Sequence, residues 1–400
     1  MPSAKLTFMF NPHRAAATSR MKIVRIEAHH LANIPIQPPP FRKKPDVEHA
    51  LVVEIETSDG HIGYSMGGYT HPVIVDFINR HAAPLLTGED ARNIERLTAR
   101  FHRHSVIRFM GRAYLSALAL VDIALWDLRG KALGVPVHQL LGGARDKVPV
   151  YITHGAAYGG ETAYTPEELA AEARHLAELG NVFLKNTVGR QAVPDPDDDY
   201  IRMRAMREAV GPDVKLAMDG NARMTVGQAI RLCKLTEELN ISFLEEPIID
   251  NEPGQLRELR AHTAIPIAAA ENHKYSARDL LVNDAVDILQ PNVTNDGGYT
   301  AGLRIGMLAQ AFNRPLGHGN GSGPHNIALQ AGLANGGLVE YHFHKWMAYN
   351  AVFAHVPQPE NGYLAVPQEP GLGLNPKPGL IEEYKVRERV SVLATQPGAI

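Results

Sequence analysis

From Val148 onward the chain alternates strand-like and helix-like segments almost without interruption, and three successive strand ends carry an acid. Asp219 closes the run KLAMD, Glu245 closes ISFLE and Glu271 follows IPIAAA. Twenty-six residues lead from the first to the second (245 − 219) and from the second to the third (271 − 245). One strand, one helix and two loops fill that interval, so three neighbouring parallel strands deliver a carboxylate to the same end. Eight candidate strands follow one another: VPVYITHG, VFLKNTV, KLAMDGN, ISFLEEP, IPIAAAEN, DILQPNV, RPLGHG and VEYHF. Helical stretches such as TPEELAAEARHLAELG and TVGQAIRLCKLTEELN lie between them. This succession predicts a barrel whose active site lies at the C-terminal strand ends, where the acids are. A doubly wound open sheet competes, but no Gly-rich nucleotide fingerprint supports it. Three carboxylates sharing a desolvated pocket need raised pKa values or a cation among them. For an all-oxygen donor set the first choice is Mg²⁺.

Four hundred residues exceed what one compact core usually supports, so a barrel plus a smaller domain is the natural division. The formal net charge of −3, without a dense basic run, argues against nucleic acid as the main partner. No apolar run approaches the roughly 20 residues a membrane span needs. The sole cysteine, Cys233, falls in an amphipathic helical pattern, which excludes an intramolecular disulfide and suits a reducing cytoplasm. Residues 1–20 are Arg-containing and acid-poor; the favoured reading is an N-terminal extension without catalytic meaning, and a targeting peptide is the alternative. Residues 21–147 predict an α+β capping domain: two strands around a Pro-rich loop, a hairpin at Asp59-Gly60, then helices, of which AYLSALALVDIALWDLRGKALG stops at Gly134 before Pro136. The barrel is expected over 148–355, and 356–400 is expected to return to the cap.

These features resemble the enolase superfamily in its mandelate racemase/muconate lactonizing enzyme-like branch, nearest in character to acid-sugar dehydratases. The similarity runs from Met21 onward and includes IALWDLRGKALGVPVHQLLGG, the acidic trio and the late PGLGL. It implies an α/β fold with a modified TIM-type barrel, (β/α)7β, and an N-terminal α+β cap. By the same resemblance Asp219, Glu245 and Glu271 ligate Mg²⁺, which stabilises the enediolate formed when a carboxylate substrate loses its α-proton. Glu246 is expected to point away from Glu245.

The proton carriers depart from the family pattern. Relatives carry Lys-x-Lys on the second strand, whereas this chain has Lys185 and then Thr187, on one inward face by alternation. A hydroxyl is no substitute for a basic amine at neutral pH. Relatives pair Asp with His across the sixth and seventh strands; here Asn292 and His318 stand there. Losing that negative charge makes His318 a weaker base, still able to serve as a neutral hydrogen-bond donor or acid. His325 is an alternative at an apparent helix start. Glu340 matches a position that hydrogen-bonds substrate and needs a proton to meet an anionic oxygen directly. In the cap, Arg42 with Lys43 and Lys44, and Tyr69 or His71, are candidate substrate contacts; a solvated basic loop, or a less polar substrate beside Phe41, stays open.

The leading expectation is a lyase that removes the α-proton of a hydroxy or sugar acid and expels water to give a 2-keto-3-deoxy acid. Lys185 and His318 would act as base and acid, or Lys185 would bind the carboxylate. A racemase, epimerase or cycloisomerase is the alternative, and a metal- or ligand-binding relative without turnover is the third. The partner is a small carboxylate, and the oligomeric state stays open, with a homo-oligomer suggested by analogy alone.

Overall fold

The structure is a computed structural model of the chain, and it describes residues 21–36, 47–67, 72–105, 111–155, 164–271, 275–319, 321, 323–343 and 345–386. Strands β1 (Ile23–Pro35), β2 (Val47–Thr57) and β3 (Ile62–Gly67) form an antiparallel meander in that order. The hairpin forms where Asp59-Gly60 predicts it: Gly60 takes φ +85°, and Thr57 N–H donates to the His61 carbonyl at 3.0 Å. The helix Arg112–Leu133 packs on this sheet and ends at Gly134, whose φ of +70° closes the C-cap. Strand and helix approach closely at Gly63, where a Cβ would collide with the Ala124 carbonyl.

Seven parallel strands follow: β4 (Lys147–His154), β5 (Phe183–Thr187), β6 (Lys215–Asp219), β7 (Ile241–Glu245), β8 (Ile267–Ala269), β9 (Ile288–Leu289) and β10 (Val339–His342). The sheet runs β10-β4-β5-β6-β7-β8-β9. The segment expected as a further strand, RPLGHG, pairs with β9 through one parallel bridge, Leu289 to Leu316. Pro315 and the glycines flanking His318 offer little to extend that ladder. Several connecting helices start on reciprocal caps, Thr165 with Glu168, Thr225 with Gln228 and Ser276 with Asp279. After the barrel, β11 (Tyr363–Ala365) pairs antiparallel with β4, while Leu372 N–H reaches Asp127 and Val386 N–H reaches the His30 carbonyl in the cap. No helix among the described residues is long and apolar enough to cross a membrane.

The lumen is layered. Its floor packs Tyr151, Phe183, Ala217, Phe243 and Ala268 with Ile288 and Leu338. Because side chains alternate along a strand, the next inward layer consists of the residues two further on: Thr153, Lys185, Asp219, Glu245, Gln290 and Glu340. An apolar floor thus carries a polar storey at the C-terminal end. Strand β8 breaks the rule. Ala270 adopts φ +133°, and this kink brings Glu271, rather than the residue two beyond Ala268, to the polar storey.

Candidate active site

Lys185 is the hub. Its Nζ donates to Asp219 Oδ2 at 2.9 Å and Glu245 Oε2 at 2.6 Å, lies 3.3 Å from Glu340 Oε1, and stands 5.1 Å over the Tyr151 ring. The lysine is fully buried. Burial alone would lower its pKa, but Asp219, Glu245 and Glu340 hold the ammonium well above the usual lysine value. Burial also pushes Glu245 and Glu271 up, with Lys185 opposing at Glu245 and the Glu246 and Asp219 charges adding at Glu271. Among the described residues Asp219, Glu245 and Glu340 surround this one ammonium, so the storey favours further positive charge.

Whether a hard cation fits can be judged from the oxygens. Asp219 Oδ1 is held by Asn221 through its backbone N–H (3.0 Å) and Nδ2 (2.7 Å). Gln290 Nε2 donates to Glu245 Oε2 at 3.1 Å. Glu245 Oε1 is buried without a hydrogen-bond partner among the described residues. At Gly319 a Cβ would collide with Glu245 Oε1 and press on Glu271 Oε2, so the absence of a side chain leaves room between two carboxylates. Among the described residues the acids do not close into a finished metal cage, because Lys185 stands between Asp219 and Glu245. Donor chemistry and the open Glu245 oxygen nevertheless fit a Mg²⁺-type ion.

His318 lies beside this hub and is fully buried. Its Nδ1 accepts the Glu340 backbone N–H at 3.2 Å, which leaves the ring proton of the neutral imidazole on Nε2. Burial depresses its pKa to about 3, so it is a neutral donor at physiological pH. Nε2 is buried and has no partner among the described residues. Tyr151 OH donates to the His318 carbonyl at 2.6 Å, so one tyrosine supports His318 with its hydroxyl and Lys185 with its ring.

Several expectations change here. Glu340 lacks the proton that a direct bond to an anionic oxygen needs: burial would raise its pKa, but above all Lys185, with the Thr153 hydroxyl bond at 2.5 Å, holds it below the usual carboxylate range. Its Oε2 also accepts the Gly321 N–H at 2.5 Å, so Glu340 acts as an anionic brace for Lys185 and the Gly321 loop. Asn292 does not pair with His318. Its Oδ1 accepts from Thr294 N–H (3.1 Å), Thr294 Oγ1 (2.9 Å) and Asn326 Nδ2 (3.1 Å), and its Nδ2 donates to the Gly319 carbonyl at 3.3 Å. The amide is spent on the loop that carries Gly319, because without a negative charge nothing draws it to the imidazole. Glu246 is buried, and its φ of +39° departs from strand geometry, which explains how it comes to act on Glu271. Thr187 Oγ1 is buried at the end of β5 without a partner among the described residues, level with Asp219. Arg42 and Tyr69, with Lys43, Lys44 and His71, lie outside the described residues.

Sequence reasoning missed Tyr151, Gln290 and Gly319. The first two were within reach, because Gln290 is two residues before Asn292 and Tyr151 two before Thr153 on the inward register. Gly319 carried no such signal, since its importance is the space it leaves between two distant strands.

Residues 42–142 match the mandelate racemase/muconate lactonizing enzyme N-terminal domain family, and residues 168–380 match the enolase C-terminal domain-like family. Over 352 residues the chain is 33% identical to arabinonate dehydratase from Saccharolobus solfataricus, covering 85% of this chain and 92% of that protein. The 3,6-anhydro-D-galactonate cycloisomerase from Zobellia galactanivorans superposes with a TM-score of 0.79 at 30% identity, covering 92% and 100% of the two chains. A mandelate racemase/muconate lactonizing enzyme from a marine actinobacterium, solved in complex with magnesium, superposes with a TM-score of 0.80 at 29% identity over 92% and 100%.

Proposed function

The chain belongs to the mandelate racemase/muconate lactonizing enzyme family of the enolase superfamily, and we propose that it is a Mg²⁺-dependent hydro-lyase that dehydrates a sugar acid to a 2-keto-3-deoxy acid. One observation carries this reading: Lys185 and His318, two dissimilar proton carriers, share Glu340 and Tyr151 as supports beside the acidic storey. Asp219, Glu245 and Glu271 would hold the ion, which supplies positive charge to a substrate carboxylate as its α-proton leaves.

The remaining steps belong to the side chains. Lys185 would take the α-proton as a neutral amine, the form favoured once other positive charge on Asp219, Glu245 and Glu271 replaces that of its own ammonium. The electrons of that C–H bond form a C=C bond as the β-carbon–oxygen bond breaks, and the hydroxyl departs as water on receiving the proton that Lys185 has taken. His318 Nε2–H, oriented by the Glu340 N–H on Nδ1, serves that departure as hydrogen-bond donor. The enol then tautomerises to the ketone. Thr187 offers no second base, which favours elimination over racemisation, since racemisation ordinarily needs bases on both faces.

Sugar acids of varied length and stereochemistry, incubated with the protein and Mg²⁺ in D₂O, test the reading by mass spectrometry and semicarbazide trapping. A ketoacid lighter by one water is expected. α-Deuteration without loss of water would point to a racemase or epimerase. Absence of change across the whole set would favour a binding protein without turnover.

A further inference from the structure

The helix Gly323–Gly332 has three polar side chains, His325, Asn326 and Gln330, and all are fully buried. Each grips a different part of the molecule. Gln330 Nε2 donates to the Gly317 carbonyl at 3.0 Å, one residue before His318. Asn326 donates to Asn292 at 3.1 Å and accepts the Val293 N–H at 3.0 Å. His325 reaches out of the barrel altogether: its Nε2 accepts the Met66 N–H, near the end of cap strand β3, at 2.9 Å. The imidazole is packed edge-on against Tyr349 and Phe353, and Tyr349 OH donates to the Met66 carbonyl at 3.4 Å. Both backbone groups of Met66 are therefore held by barrel-side side chains. The His325 ring thus faces the cap and its aromatic neighbours, whereas His318 stands beside Glu340 and Tyr151.

We propose that His325 is a positioning residue that locks the end of β3 to the helix bracing the Asn292 and His318 strand ends, and so sets substrate affinity through the placement of the cap. A rigid helix joined to all three places keeps the cap in register with the barrel mouth. Losing the acceptor strands a buried N–H and loosens the cap, while Gln330 and Asn326 continue to hold the strand ends that carry the chemistry. The kinetic part rests on the sugar-acid lyase reading; the structural part does not.

The test uses the full chain with His325→Leu, which removes the acceptor, and His325→Gln, whose Oε1 can replace Nε2. Hydrogen exchange at the Met66 amide is expected to quicken about tenfold or more in His325→Leu and to stay near wild type in His325→Gln. On the sugar acid that wild type dehydrates, KM is expected to rise about tenfold in His325→Leu with kcat within about twofold, and His325→Gln should restore KM. Unchanged Met66 exchange in His325→Leu overturns the lock. A fall in kcat at constant KM overturns the affinity role. Should His325→Leu not fold, a raised KM in His325→Gln with wild-type exchange at Met66 overturns the link between them. If wild type turns over no sugar acid, the lyase reading fails, and the exchange measurement still decides the lock.

Discussion

Two sets of buried carboxylates in this molecule are treated in opposite ways. Asp122 and Asp127, on the helix Arg112–Leu133, join the cap to its neighbours. Asp122 accepts from the Thr300 N–H at 3.0 Å and from the Thr300 hydroxyl, and Asp127 accepts from Tyr64 N–H at 2.8 Å, Leu372 N–H at 2.7 Å and Lys131 Nζ at 2.7 Å. Every oxygen has a donor. In the lumen, Asp219 and Glu245 crowd one ammonium while Glu245 Oε1, Thr187 Oγ1 and His318 Nε2 have no partner among the described residues. Stability alone would select the first arrangement. The second keeps polar groups in reserve, and it coincides with the strand ends where a substrate would lie.

That contrast breaks most visibly through the two proposed proton carriers. Lys185→Ala and His318→Ala are each expected to lower turnover by about 10²–10⁴-fold in steady-state assays, while Asp122→Asn leaves turnover near wild type. Full activity in both lumen variants would end the assignment of these two residues.

The pH dependence of stability addresses the structural set. Burial raises Asp122 to about 7 against the Thr300 hydrogen bonds. The folded state therefore retains a proton that the unfolded chain releases near pH 4, and this contribution to stability is present at low pH and lost as pH rises toward 7. The expected loss is on the order of 4 kcal/mol. Urea denaturation between pH 4 and 7 should show that slope, and Asp122→Asn should flatten it.

A finer comparison comes from Thr187→Val, which replaces a buried unpartnered hydroxyl by a methyl. Stability is expected to hold or rise by about 1 kcal/mol, with a severalfold rise in KM. A loss of stability with unchanged KM would place Thr187 among the structural groups.

The sequence made the lumen legible to the extent that periodicity governs it. Asp219 and Glu245 follow from strand alternation one storey above an apolar floor, and the spacing of βα units located them, while Lys185 on the same storey was read from the resemblance to a Lys-x-Lys strand. Glu271 was found by spacing although alternation does not explain it, since the Ala270 kink carries it inward. What escaped depends on pairs far apart in the chain. The ionisation of Glu340 is set by Lys185, 155 positions earlier (340 − 185), and the neutrality of His318 by burial and by a backbone N–H from the next strand. Asn292 was read against His318, whereas the fold pairs it with Thr294 and Asn326. A motif fixes where such residues stand; their charge depends on neighbours that a motif does not contain.

We propose that the lumen carboxylates form a cation site and that Asp122 and Asp127 do not. Thermal unfolding with and without Mg²⁺, in wild type, Glu245→Gln and Asp122→Asn, tests it without any substrate. The account predicts that Mg²⁺ raises the Tm of wild type and Asp122→Asn alike and leaves Glu245→Gln nearly unmoved. An equal Mg²⁺ shift in Glu245→Gln, or none in wild type, would contradict it.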